Sequence, residues 1–393
     1  MIKDKIKKVL PNIVVNALRK HRNVPIVNYF DTHYERNVLI SYIVYPFKKK
    51  DSYYHTNLIE SLEIAKIFKN LGFNVDIYNY DFNERINYSK YNVIFGFGDP
   101  LVNSFYNRNN EIITIYYGTG MHICTQNNNT LKRVKEVYQK KKIWLPESGR
   151  IVEKAWSIQT TLVDAMITLG NEEVVKSYQK YYEGPIYNMP VSFYEVIGGK
   201  EIRKIIENKD YDEAKKNFLW FGGSGLIHKG LDLSLEYFTK NPDLHLHICG
   251  PIDTEPRFKK VYFNELYNTK NIHTYGFIDI KNNLFKDLIK KCLFIICPSC
   301  SEGQPNSVIN IMANGLIPLV TKESGVIIKD FGYLISSINI ESIDKTVSLV
   351  LKEENSLLKN KSLKCFNDTR KNHSIKAFSI KLQSLLEKIL NNY

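Results

Sequence analysis

One carboxylate stands in a stretch whose composition leaves backbone amides open. Glu302 lies in PSCSEGQPNSVINIMANG, residues 298–315, behind the apolar run 293–297 and ahead of an apolar pattern at helical spacing. Asn310 follows eight positions later, one turn inside that helix and expected to face the same cleft. The first N–H groups of a helix have no intrahelical partner, and the helix dipole there favours anions. The amides of Ser307 and Val308 are therefore expected to be unpaired and to receive a pyrophosphate, with Glu302 accepting hydrogen bonds from sugar hydroxyls.

A second loop has similar geometry. Gly222, Gly223, Ser224 and Gly225 follow the apolar run 218–221 and precede a helix that starts at Lys229. Glycine lets backbone amides approach a phosphate closely, and Lys229 can pair with it as a point charge. An ordinary βα turn has the same composition, so this loop alone is weak evidence. Two such cradles on one domain describe a nucleotide-diphosphate site, and with a cation at hand it needs no metal.

These loops require strands and helices in alternation. Residues 38–45 read as a strand, 58–71 as a helix ended by Gly72, and 74–78 as the next strand. That is a βαβ unit, so a parallel sheet is expected. Further strands are read at 93–97, 112–117, 165–169 and 186–189. A second series follows at 218–221, 244–249, 272–275, 293–297, 317–321 and 332–335, with a terminal helix over 374–390. The expected fold class is α/β, with two tandem Rossmann-like doubly wound domains facing across a cleft. The expected divisions are 1–197, a charged linker 198–216, a donor-binding domain 217–375 and a terminal helix 376–393. Asp210 and Asp212 form a DxD within the linker, but no strand precedes it, and it is taken as chance.

The chain has 393 residues, too many for one ordinary core, and a formal charge of +13. The excess is concentrated in residues 1–22, with seven Lys/Arg against one Asp, and in Lys132, Arg133, Lys135, Lys140, Lys141 and Lys142. These clusters suit either a solvated surface or an anionic lipid face. No nucleic-acid module accompanies the charge, so nucleic acid is not an expected partner. No run is long enough to cross a bilayer, and residues 1–22 do not read as a signal peptide. A cytoplasmic location is expected, peripheral on the inner face of the membrane. Cys297 and Cys300 form a CxxC with no second pair, which suits buried, reduced thiols better than a metal site.

Residues 218–326 resemble the donor domain of GT-B glycosyltransferases, close to glycosyltransferase family 4 of the bacterial capsule and O-antigen type. The pieces WFGGSGLIHKGLDL, LHLHICGP, NIHTYGFIDI, CPSCSEGQPNSVINIMANGLIPLVT and ESGV occur in family order. YYGTGMH and GPIYNMP in the first half resemble it more weakly. The resemblance implies that Lys229 contacts the donor pyrophosphate, that Gly276, Phe277 and Ile278 line the base, and that Glu302 contacts the donor sugar. It also implies that Gly303 and Gln304 approach the sugar, Ser307 and Val308 the phosphates, and that His122 lies near the reacting sugar. Two departures stand out. The family's second glutamate is Asn310 here, which loses charge assistance toward a ribose, and its usual phosphate-facing arginine is Ser224.

The function so implied is metal-independent transfer of a sugar, in enzyme class 2.4, from a nucleotide-diphosphate sugar to an acceptor hydroxyl. Retention is expected, and no cofactor. The expected acceptor is a lipid-linked oligosaccharide in surface-polysaccharide assembly. A nucleotide-sugar 2-epimerase on the same fold, and a non-catalytic nucleotide-sugar-binding subunit, are the rival readings.

Overall fold

The computed structural model describes residues 23–48, 56–107 and 111–393, so the basic stretch 1–22 lies outside the described residues. Strands β1 (Arg36–Tyr42), β2 (Phe73–Asn79), β3 (Val93–Gly96), β4 (Ile113–Gly118), β5 (Ala165–Leu169) and β6 (Ile186–Met189) form the first sheet, in the order β2-β1-β3-β4-β5-β6. β1 runs parallel to β2 and β3, and β3 to β4. The helix Thr56–Asn70 makes the crossover from β1 to β2 and buries Ile64, Ala65, Ile67 and Phe68. Parallel neighbours need such a crossover, because a hairpin joins only antiparallel ones.

The second sheet holds β7 (Asn217–Phe221), β8 (His245–Cys249), β9 (Ile272–Gly276), β10 (Phe294–Cys297), β11 (Ile317–Thr321) and β12 (Tyr333–Ile335). Its order is β12-β11-β10-β7-β8-β9, and every neighbouring pair is parallel. Apart from Asn217 at the start of β7, the central strands β7 and β10 are apolar, as strands covered on both faces tend to be. Phe218 of β7 stacks on Phe294 of β10, with ring centroids 5.0 Å apart, and packs on Phe238 of the Leu231–Thr239 helix at 5.1 Å. Two parallel-sheet Rossmann-like domains are thus present, as the alternation of elements implied.

The described residues up to Tyr117, with 158–167 and 381–393, form one compact unit; residues 118–157 and 168–380 form the other. The stretch 198–216 contains the helices Gly199–Glu207 and Tyr211–Ala214. Asp210 caps the second of these by accepting hydrogen bonds from the amides of Asp212 and Glu213, so the DxD has a local structural use.

Candidate active site

The site lies wholly within the second unit, at the point where its sheet changes winding direction. β7 sits between β10 and β8, so the connections leaving β7 and β10 diverge to opposite sides. A crevice opens outside the carboxyl ends of such strands, and ligands bind there. The loops that follow these two strands carry Gly222–Lys229 and Pro298–Gln304, the stretches singled out from sequence.

Glu302 is the centre of the arrangement and is buried. Its Oε1 accepts a hydrogen bond from Lys229 Nζ, and its Oε2 lies 3.3 Å from Arg150 Nη1. Burial by itself would raise the Glu302 pKa, but Lys229, and after it Arg150, outweigh burial and draw it down to about 2. His228 Nε2 lies 3.6 Å from Glu302 Oε1. Burial lowers the His228 pKa to about 3, so the ring is neutral at pH 7. Its Nδ1 lies 2.9 Å from Thr130 Oγ1. A hydroxyl donating to Nδ1 leaves the ring proton on Nε2.

His228 Nε2 and, in the loop that carries Glu302, Ser301 Oγ and Gln304 Nε2 are buried polar atoms with no hydrogen-bond partner among the described residues. Buried polar groups are nearly always satisfied, so these atoms are open to water or to a ligand.

The Ile123–Lys141 helix supports the site from outside the two loops. Thr130 meets His228, Asn129 Nδ2 donates to Cys300 O at 3.0 Å, and Arg133 pairs with buried Asp232 at 2.5 Å. Residues 148–152 run alongside. Ser148 O accepts from the amides of Ile227 and His228 at 3.1 Å each. Gln126 Nε2 donates to Arg150 O at 2.6 Å, and Asn127 bonds both backbone groups of Val152.

The glycine loop is organised by a residue not singled out from sequence. Buried Glu255 accepts from Gly225 N at 2.5 Å and from Leu226 N at 3.2 Å. Gly222 N donates to Cys249 O at 3.0 Å. The amides of Gly222 and Gly225 are thus committed within the protein, and any phosphate contact by this loop falls to Gly223 and Ser224. Gly250 N donates to Gly276 O at 2.9 Å, which ties the end of β8 to that of β9. Phe277 beyond it is exposed, while Ile278 is buried.

The second cradle also differs from expectation. Val308 N is not unpaired: it donates to Pro305 O at 2.9 Å in a tight first turn, which leaves Ser307 as the amide to consider. Asn310 is engaged by backbone on both sides. Its Oδ1 accepts from Tyr194 N at 2.7 Å, and its Nδ2 donates to Asn306 O at 2.7 Å. Gln304 Oε1 likewise accepts from Val191 N at 2.9 Å. Asn310 and Gln304 therefore fasten residues 191–194 to the loop and helix that follow β10.

His122 caps the Ile123–Lys141 helix, with Nδ1 accepting from Cys124 N at 3.2 Å, and stacks on Tyr181 at 4.1 Å between centroids. Burial lowers its pKa to about 4, so it too is neutral near pH 7. The turn before it packs directly on the Glu302 loop. A Cβ on Gly303 would lie 2.4 Å from Thr119 O, and one on Gly325 (φ +72°) would lie 1.2 Å from Gly303 O. Only glycine permits this approach of three backbone segments.

The basic cluster on the helix is smaller than its sequence implied. Arg133 pairs with Asp232, Lys140 with Glu236 at 3.2 Å and Lys141 with Glu265 at 3.1 Å. Lys132, Lys135 and Lys142 remain exposed. Cys297 and Cys300 are buried free thiols. Among the described residues no group of three His, Cys, Asp or Glu side chains is arranged to hold a metal.

Residues 203–370 match the family model described as Glycosyl transferases group 1. That stretch of the chain is therefore similar to a group 1 glycosyltransferase domain. No curated protein matches the chain by sequence. Several solved structures share its fold. Sucrose-phosphate synthase from Thermosynechococcus elongatus is 14% identical, with a TM-score of 0.63 over 91% of this chain and 100% of that one. Anabaena Alr3699/HepE, solved in complex with UDP and glucose, is 10% identical, with a TM-score of 0.55 over 92% of this chain and 100% of that one. WaaG, a glycosyltransferase involved in lipopolysaccharide biosynthesis, is 13% identical, with a TM-score of 0.54 over 88% and 98%. At these identities the likeness is one of fold, and the fold is GT-B. Among the described residues no helix is long and apolar enough to cross a membrane.

Proposed function

We propose that this protein transfers a sugar from a nucleotide-diphosphate donor to an acceptor hydroxyl, with retention of anomeric configuration and without a metal. The observation that carries the reading is the Lys229–Glu302–Arg150 cluster at the switch point of the second sheet, with His228 Nε2 3.6 Å from the carboxylate. In this reading Lys229 and the amides of Gly223, Ser224 and Ser307 receive the diphosphate and stabilise its growing charge as it leaves. Glu302 accepts from hydroxyls of the donor sugar, Gly303 and Gln304 border that sugar, and His122 stands near its reacting carbon. Gly276, Phe277 and Ile278 line the base. Departure of the diphosphate on the face where the acceptor enters accounts for retention. The UDP and glucose bound to the Anabaena relative support a nucleotide sugar as donor.

A role in bacterial surface-polysaccharide assembly, on a lipid-linked acceptor at the cytoplasmic membrane face, is part of the proposal. WaaG's part in lipopolysaccharide biosynthesis supports it. So do exposed Lys132, Lys135 and Lys142 beside exposed Leu131, Tyr138, Ile143 and Trp144, a mixture suited to anionic headgroups. Deleting residues 1–22 is expected to weaken flotation with anionic vesicles; unchanged flotation would remove that segment from the membrane role. The enzymatic reading is tested by incubating the protein with nucleotide sugars and a hydroxyl acceptor and following the anomeric proton by NMR, with and without EDTA. Transfer with the donor's anomeric configuration, unchanged by EDTA, is expected. An inverted product would overturn retention, loss of activity with EDTA would overturn metal independence, and epimerised nucleotide sugar without acceptor would replace the reading by the epimerase.

A further inference from the structure

We propose that Arg150 is the second phosphate-binding cation of this site, held ready by Glu302 and transferred to the diphosphate when the donor arrives. The inference rests on the donor site proposed above and assigns a residue that lies outside the matched family domain, 203–370.

Placement is the first argument. A Cβ on Gly225 would lie 2.6 Å from Arg150 Cγ and 2.9 Å from its Cδ, so the arginine stem lies against the glycine loop. Gly225 has φ +87°, and an L side chain there would meet both backbone strain and this stem. The guanidinium beyond the stem reaches Glu302 Oε2 at 3.3 Å, on the same carboxylate that Lys229 holds through Oε1. The two cations therefore flank one acceptor group, next to Gly223 and Ser224.

The backbone that carries Arg150 is fastened on both sides. Ser148 O holds the amides of Ile227 and His228, Gln126 holds Arg150 O, and Asn127 holds Val152 through two bonds. The arginine is thus positioned by the loop that leads to Lys229. Its side chain is about half exposed (49%), whereas that of Lys229 is mostly buried (10%). One cation is fixed and the other can swing. A guanidinium has five N–H donors in a planar fork that fits phosphate oxygens, and the contact with Glu302 uses one of them.

Charge gives the second argument. His228 is neutral, so Lys229, Arg150 and Glu302 together carry one net positive charge. A sugar diphosphate bears one negative charge on each phosphate, and Lys229 alone does not balance it. Ser224, adjacent to Gly225, carries no charge. The diphosphate competes with Glu302 for Arg150, so that each phosphate charge faces one cation.

The test uses the full chain and calorimetric titration with UDP, GDP and ADP and the matching nucleosides, on wild type, Arg150→Ala, Arg150→Lys and Arg150→Ala/Ser224→Arg. For the diphosphate that wild type binds, Arg150→Ala is expected to weaken binding about 10- to 100-fold, the range for a lost hydrogen bond to a charged group. The nucleoside alone should bind Arg150→Ala as it binds wild type. Arg150→Lys should recover part of the loss by charge, and Ser224→Arg should recover part from the other side of the loop. Diphosphate affinity in Arg150→Ala within twofold of wild type would overturn the proposal. Equal loss of diphosphate and nucleoside would also overturn it, since that would show a loop held out of place. If wild type binds none of the three diphosphates, the donor site itself falls, and this inference with it.

Discussion

Replacing Glu302 by glutamine should destabilise the ligand-free protein, because the carboxylate is what makes the buried Lys229 ammonium tolerable. Glu302 and Lys229 are 7% and 8% exposed. Removing one partner of a buried ion pair costs about 3–5 kcal/mol, since the other charge is left uncompensated. The carboxylate's pKa gives an independent figure. Its fall from 4.5 to about 2 corresponds to roughly 3 kcal/mol at about 1.4 kcal/mol per pKa unit. A carboxylate with a depressed pKa stabilises the fold fully above its ordinary pKa, and the stabilisation is lost as pH falls through the folded-state value. Wild type should therefore lose about 3 kcal/mol between pH 5 and pH 2 from this group, and Glu302→Gln should lack that component. Urea denaturation at pH 7 and along the acid limb measures both. In a thermal scan the pH 7 loss of about 3–5 kcal/mol should appear as a fall of about 6–20 °C, at about 2–4 °C per kcal/mol for a unit of this size. Nucleoside diphosphate should restore stability in the variant, because phosphate replaces the missing carboxylate, while sugar transfer falls. A variant within about 0.5 kcal/mol of wild type at pH 7, with an unchanged acid limb, would refute the reasoning, because surface changes have effects of that size.

Three further outcomes follow from the packing around the site. Arg133→Ala strands buried Asp232 and should cost about 3–5 kcal/mol in denaturation, with part of it recovered in Arg133→Leu/Asp232→Leu. Gly325→Ala should sharply reduce the yield of folded protein, because its Cβ would fall 1.2 Å from Gly303 O; Gly198→Ala, with nothing within 4 Å but at a helix N-cap, should cost no more than about 1 kcal/mol and is the control. Asn310→Ala should cost about 1–3 kcal/mol in the absence of nucleotide, because the Tyr194 amide loses its acceptor. A residue that served only a ribose would cost nothing in that measurement.

The elements were legible because both halves alternate apolar runs with amphipathic stretches, a local pattern. Glu302 and Lys229 were legible for a related reason: each follows a central strand by a few residues, and strand-end loops are where α/β sheets bind. Arg150 was not, because it reaches Glu302 across 152 positions and nothing around it in sequence signals a partner. Glu255 and His228 were missed likewise, their roles being set by loops that meet only in space. Asn310 showed a family position but not the Tyr194 amide that occupies it. The charge run 132–142 did not show that helical periodicity pairs Arg133, Lys140 and Lys141 with Asp232, Glu236 and Glu265.

On the proposed reading the Lys229–Glu302–Arg150 cluster receives a nucleoside diphosphate. Calorimetric titration of UDP, GDP, ADP and CMP into wild type and Lys229→Ala tests it most directly. One of the diphosphates should bind wild type, and Lys229→Ala should weaken it at least about tenfold, the loss of a charge-assisted contact. No binding by any diphosphate, or equal binding by Lys229→Ala, would contradict that reading.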